Sequence, residues 1–212
     1  MIEVLPPALI LFGGSVLIAI TRGAMRSGVV LLLPLLALWS VWQVPDGVAV
    51  SLSFMDHAIE PVEGSKLRRL FATIFALMTF VGGLYAFRQA KGLELAAAFA
   101  YAGGALGVAF AGDLLTLFVF WEVMAIFSTV VVWCGGSEQS RAAGLRYALM
   151  HFLGGVILMI GIAGVAVQTG SIDIEAMRAN SFATWMILIG VLINAAAPPV
   201  SAWLADAYPE AT

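Results

Sequence analysis

The sequence has few of the residues from which disulfide frameworks and soluble active sites are built. It contains one cysteine, Cys134, and two histidines in 212 residues, so it forms no internal disulfide and offers no cysteine and histidine cluster for a metal. His57 follows Asp56, but two adjacent ligands without a third do not define a metal site. The sequence also lacks a glycine-rich phosphate motif and an activated nucleophile. These absences argue against an enzyme and predict no cofactor.

Charge is equally scarce. Charged residues make up 11% of the chain and the net charge is -3, without the basic patch that nucleic-acid binding requires. Hydrophobic residues make up 62% and the mean hydropathy is +1.02, well outside the range of soluble domains. The composition therefore predicts an integral membrane protein that binds no nucleic acid.

The apolar runs predict an all-α membrane protein with about seven transmembrane helices, the seventh discontinuous. The predicted helices are residues 6–20, 28–44, 67–87, 93–112, 114–134, 142–167 and 182–200. Between the second and third helices, residues 48–54 alternate with period two, which predicts a short strand at the water interface. The charged residues 56–63 that follow are expected to form a solvated loop. Asp113 is expected to cap the fifth helix.

The fifth predicted helix carries a carboxylate, Glu122, near its middle. A charged side chain at the bilayer centre costs roughly 3 kcal/mol on insertion scales, so it usually faces a partner, a cavity or a proton path. The alternative is a protonated Glu that donates an interhelical hydrogen bond. We expect Glu122 to face the bundle interior and to carry function.

The sixth predicted helix contains a second ionisable residue, His151, with Tyr147 four residues before it. Gly154 and Gly155 follow on the same face, where small residues allow close helix packing. An imidazole is well suited to passing protons, and a histidine buried for packing remains an open alternative.

The seventh predicted helix is interrupted by Pro198 and Pro199. Proline has no backbone N–H, so the carbonyls of Asn194 and Ala195 lose their helical donors. Broken helices of this kind line ion sites in transporters, and Asn194 places an amide at the break. An ordinary proline kink is the alternative interpretation.

Three segments carry a resemblance to a known family. They are GDLLTLFVFWEVMAIFS, RYALMHFLGGVILMIGI and INAAAPPVSAWLADAYPEAT. The sequence resembles the antiporter-like membrane subunits shared by respiratory complex I and the Mrp cation/proton antiporters, and most of all the D-type Mrp subunits. The resemblance is strong from the fourth helix to Thr212 and diffuse before it.

The resemblance implies a proton-translocating subunit built from two inverted five-helix repeats with a polar axis at the membrane centre. Residues 1–92 would then be three N-terminal helices with the interfacial strand, and residues 93–212 an incomplete first repeat. Glu122 falls on the family's glutamate of the fifth helix, whereas Asn194 stands where a lysine is usual. Tyr147 and Asp206 are expected accessory residues. Another membrane chain is expected to supply the second repeat, as in a split gene, unless the sequence is a fragment.

The leading hypothesis is an ion-conducting subunit that moves H⁺ without being catalytic itself, and the sequence leaves open whether H⁺ moves alone or is exchanged for Na⁺ or K⁺. The alternative is a non-conducting scaffold subunit that has lost the lysine. The sequence leaves open whether an NADH-quinone oxidoreductase-like module drives the proton transport. We expect a multi-pass subunit of the cell inner membrane. The loops predicted on one side of the membrane carry six positive residues, and those on the other side carry four. This difference predicts that the N-terminus lies outside.

Overall fold

The computed structural model describes residues 4–54 and 57–211. The chain divides into two compact units, Met1–Gly112 and Asp113–Thr212. Among the described residues, five helices are long and apolar enough to cross a membrane, and two apolar helices are shorter. The expectation of a mostly helical membrane protein is therefore confirmed, whereas the count of seven spans stays a prediction.

The first unit contains four helices, with α4 packed against α1 and α3. They are α1 (Pro7–Ile20), α2 (Gly23–Gln43), α3 (Lys66–Ala86) and α4 (Gly92–Phe110). Three glycines of α4, Gly103, Gly104 and Gly107, are buried. A Cβ atom built on Gly103 would lie 3.2 Å from the carbonyl oxygen of Ala8, so only a small residue lets α4 approach α1 this closely. The predicted grouping of this helix with the later ones, from residue 93, stays a prediction.

Two strands, not one, lie between α2 and α3. The strands β1 (Gly47–Phe54) and β2 (His57–Gly64) pair antiparallel, so the prediction of a solvated loop after the first strand was wrong. Pairing satisfies the backbone of β2, and Val62 is buried although glutamates surround it in sequence. The hairpin is tied to α3, because Arg68 pairs with Glu63 at 2.5 Å.

The second unit contains α5 (Leu114–Cys134), α6 (Glu138–Thr169), α7 (Phe182–Asn194), the short α8 (Ala202–Ala207) and a 3₁₀ helix (Tyr208–Glu210). Asp113 caps α5 as predicted, accepting a hydrogen bond from the Thr116 backbone at 2.8 Å. The helix α6 begins earlier than predicted because the Ser137 hydroxyl accepts a hydrogen bond from the Ser140 backbone at 2.8 Å. Serine at this position satisfies an N–H that the first helical turn leaves free.

Glycines bring α6 and α7 into backbone contact. A Cβ on Gly161 would lie 2.6 Å from the backbone nitrogen of Ile187, and one on Gly190 would lie 2.7 Å from that of Leu158. Small residues at such positions are typical of membrane helix pairs. This close pairing fixes where the end of α7 meets the middle of α6.

Candidate functional site

The Glu122 carboxylate lies against α6 at Gly155. A Cβ on Gly155 would be 2.8 Å from Glu122 Cδ and 3.1 Å from Oε2. The Oε1 atom is buried and has no hydrogen-bond partner among the described residues. The absence of a side chain at Gly155 therefore provides the space that this carboxylate occupies.

The adjacent glycine accommodates the amide of Asn194, the last residue of α7. A Cβ on Gly154 would lie 2.9 Å from Asn194 Cγ. Asn194 is 7% exposed, and in the described part of the chain neither Oδ1 nor Nδ2 has a hydrogen-bond partner. Two consecutive glycines of α6 thus receive one polar group from α5 and one from α7.

His151 lies one helical turn before this glycine pair and is also 7% exposed. Its ring centroid is 4.3 Å from that of Tyr147 and 4.8 Å from that of Trp203. Neither ring nitrogen has a hydrogen-bond partner in residues 4–54 and 57–211. The Tyr147 hydroxyl is 2.8 Å from the Ser128 oxygen, which links it to α5.

The side chains of Glu122, His151 and Asn194 together present five buried nitrogen or oxygen atoms without a partner among the described residues. Buried polar atoms in proteins are hydrogen-bonded in the great majority of cases. Such a cluster of exceptions on three helices requires water, an ion or a polar group of another chain to satisfy it. Chemically, the cluster combines a carboxylate, an imidazole and an amide, which between them can accept and donate protons.

The helix break lies where the prolines predicted it. The helix α7 ends at Asn194, and Ala196 adopts a positive φ of 53°. The Ala197 N–H donates to the Leu192 carbonyl at 2.9 Å and the Ala196 N–H to that of Ile193 at 3.2 Å, the two bonds of a Schellman cap. The 13 residues of α7 extend about 20 Å, less than the roughly 30 Å thickness of the hydrocarbon core of a bilayer.

The segment after the break is anchored by Trp203 and Asp206, both on α8. The indole N–H of Trp203 donates to the Ile193 carbonyl at 3.2 Å. Asp206 accepts two hydrogen bonds from Arg146 of α6, at 2.6 and 2.8 Å. Sequence reasoning missed Trp203 and the partner of Asp206, because these contacts join residues far apart in the chain.

In the described ranges, which exclude Asp56, no group of three or more His, Cys, Asp or Glu residues could hold a metal ion. Of the adjacent residues Asp56 and His57, only His57 lies within the described residues. The site is built from groups that transfer protons or coordinate through oxygen.

Residues 111–212 match the family described as NADH:quinone oxidoreductase/Mrp antiporter, transmembrane. The N-type subunit of the NADH-quinone oxidoreductase of Deinococcus radiodurans is 30% identical over 117 residues, which are 50% of this chain and 24% of that protein. The D-type subunit of the Na⁺/H⁺ antiporter of Bacillus subtilis is 25% identical over 162 residues, which are 72% of this chain and 30% of that protein. The chain thus matches less than a third of the length of either relative.

The fold is also similar to a chain of the Mrp complex from Dietzia, with a TM-score of 0.79 and 21% identity over 97% of this chain and 25% of that one. The segment that matches the family, residues 111–212, contains all three residues of the polar cluster. Residues 111–212 are therefore a domain of the antiporter-like membrane subunit family that complex I-type quinone oxidoreductases share with Mrp antiporters.

Proposed function

We propose that this chain is the N-terminal half of a proton-translocating subunit in a multisubunit membrane complex of the Mrp antiporter or complex I type. The proposal depends chiefly on the buried and unpartnered polar atoms of Glu122, His151 and Asn194 on three adjacent helices. A carboxylate without a cation beside it is expensive at membrane depth, which favours a functional reason for its presence. Subunits of both kinds are among the relatives, in agreement with this assignment.

In the proposed route, Glu122 holds the proton and Asn194 orients the water or ion next to it. The amide can donate from Nδ2 and accept at Oδ1, so it bridges a proton donor and an acceptor without being charged. His151 is the next polar group of the proposed route. It lies four residues before Gly155 on α6, which is about 6 Å along the helix axis. The ring is held between Tyr147 and Trp203, which fixes its position for transfer through water.

The proposal includes the partners and the orientation that the sequence predicts. Another membrane chain would supply the second repeat, Na⁺ or K⁺ would be the exchanged cation, and the N-terminus would lie outside the cell. The side chains of Arg146 and Asp206 are both exposed. This ion pair would mark the end of the route at the surface of this unit.

The test measures proton uptake in inverted vesicles from native membranes in which the chain has been replaced by variants. Glu122→Gln removes the proton carrier and should reduce uptake roughly 100-fold, the usual size of a lost proton-transfer group. Asn194→Leu keeps the branched shape of the side chain and removes the amide, so it should also reduce uptake. Glu175→Gln, in an exposed loop, is the matched control and should leave uptake unchanged.

The scaffold hypothesis predicts a different result. If both Glu122→Gln and Asn194→Leu leave proton uptake at the level of Glu175→Gln while the complex stays assembled, the conducting role is wrong. Assembly is checked by co-purification of the neighbouring membrane subunits.

A further inference from the structure

An apolar cleft of about 310 Å³ lies between α3 and α4 in the first unit. It is lined by α3 from Phe75 to Ala86 and by α4 from Leu95 to Ala105. Gly82 lines the cleft and opens it, because a Cβ on Gly82 would meet no atom within 4 Å. None of the residues that line the cleft belongs to the polar cluster or to the proposed proton route.

The cleft has the length of one lipid leaflet. Its lining covers 11 residue steps on α3 and 10 on α4, or about 16 Å at the rise of an α-helix. The hydrocarbon core is about 30 Å thick, and both helices are long and apolar enough to cross it. One end lies at the loop of residues 87–91 and the other near the middle of both helices.

The loop end of the cleft is positively charged. Arg88 and Lys91 are exposed in this loop. The Arg26 guanidinium lies beside the start of α4, since a Cβ on Gly92 would be 2.8 Å from its Cζ atom. Glu94 is the acid in the first turn of α4, so three cations stand against one carboxylate here.

We propose that this cleft binds an acyl chain of an anionic glycerophospholipid, with the lipid phosphate at Arg88 and Lys91. The apolar lining and the leaflet length fit the acyl chain, and the cations fit the phosphate. A helix of a neighbouring subunit would match the apolar lining but not the cations at the loop end. An anionic lipid matches both and is therefore the better occupant.

The test measures lipid binding to the purified membrane complex that contains this chain, in detergent, by native mass spectrometry and by the rise in Tm. Phosphatidylglycerol is compared with phosphatidylcholine of the same acyl chains. Gly82→Leu fills the cleft and should abolish the rise in Tm. Gly13→Leu is the matched control, because Gly13 is an exposed glycine of α1 with no atom near its Cβ position. Gly13→Leu should bind lipid as the unaltered chain does.

The headgroup contact is tested separately with Arg88→Gln, against Arg178→Gln in an exposed loop of the second unit. Arg88→Gln should weaken phosphatidylglycerol about fivefold, the effect of one cation near an anionic surface, and should leave phosphatidylcholine unchanged. Equal binding of the two lipids by the unaltered chain would refute the proposal. So would unchanged lipid binding by Gly82→Leu, above all if that variant loses a neighbouring membrane subunit, because the cleft would then hold a protein helix.

Discussion

The glycine pair of α6 allows the position of the Glu122 carboxylate to be tested without changing any polar group. Gly155→Ala places a methyl group 2.8 Å from Glu122 Cδ, whereas ordinary van der Waals contact begins near 3.4 Å. The nearest obstacle is Glu122 Oε1, which lies closer still to the Cβ position and is the end of a flexible side chain, so the carboxylate should retreat by about 1 Å while the helices stay together. Functional groups have to be held within about 0.5 Å, and a 1 Å displacement can cost roughly 100-fold. We expect proton uptake to fall roughly 100-fold.

Gly161→Ala supplies the matched comparison on the same helix. Its Cβ would lie 2.6 Å from the backbone nitrogen of Ile187 and 2.8 Å from the carbonyl oxygen of Ala183. A backbone cannot rotate away as a carboxylate can, so α6 and α7 must separate. Overpacking of this kind typically lowers the free energy of unfolding by about 1–3 kcal/mol.

The two variants should therefore differ in opposite ways. Gly155→Ala should lose uptake in inverted vesicles and keep its Tm in detergent, whereas Gly161→Ala should lose Tm. The reasoning is refuted if Gly155→Ala keeps full uptake, because the carboxylate would then work from a displaced position. It is also refuted if Gly155→Ala unfolds as readily as Gly161→Ala.

Two further predictions concern the end of α7. Trp203→Phe keeps an aromatic ring but removes the N–H that donates to Ile193, so the free energy of unfolding should fall by about 1 kcal/mol; an unchanged thermal unfolding curve would show that this bond adds no stability. Ala196 has a φ of 53°, a region in which a Cβ costs about 1–2 kcal/mol. Ala196→Gly should therefore raise Tm and Ala196→Val should lower it, and a fall in Tm with glycine would contradict the capped helix end.

Sequence reasoning succeeded where local chemistry defines an element. The bounds of α5 were predicted to the residue, because Asp113 caps its first turn and glycines follow Cys134. The start of α6 was predicted at residue 142 and not at Glu138, because residues 137–141 are all polar or charged. The second strand was missed because its stability comes from pairing with β1 and not from its own composition.

The site shows the same limit. Glu122, His151 and Asn194 stand out as polar residues in apolar helices, so composition alone singles them out. The ion pair between Arg146 and Asp206 joins residues 60 positions apart, for which no local pattern exists. The seating of side chains against Gly154 and Gly155 likewise depends on how three helices pack, which helical periodicity does not specify.

The short length of α7 determines how membrane voltage acts on a charge at its end. With Phe182 at the membrane surface, the end of the helix lies about 20 Å deep, or roughly two thirds of the way through the hydrocarbon. Moving one elementary charge across the whole membrane is worth about 2.3 kcal/mol per 100 mV. An ion held at this level is therefore separated from the nearer surface by roughly 0.8 kcal/mol and from the farther surface by roughly 1.5 kcal/mol per 100 mV. The part of the proposed route on one side of this level consequently spans about twice the voltage drop of the part on the other side.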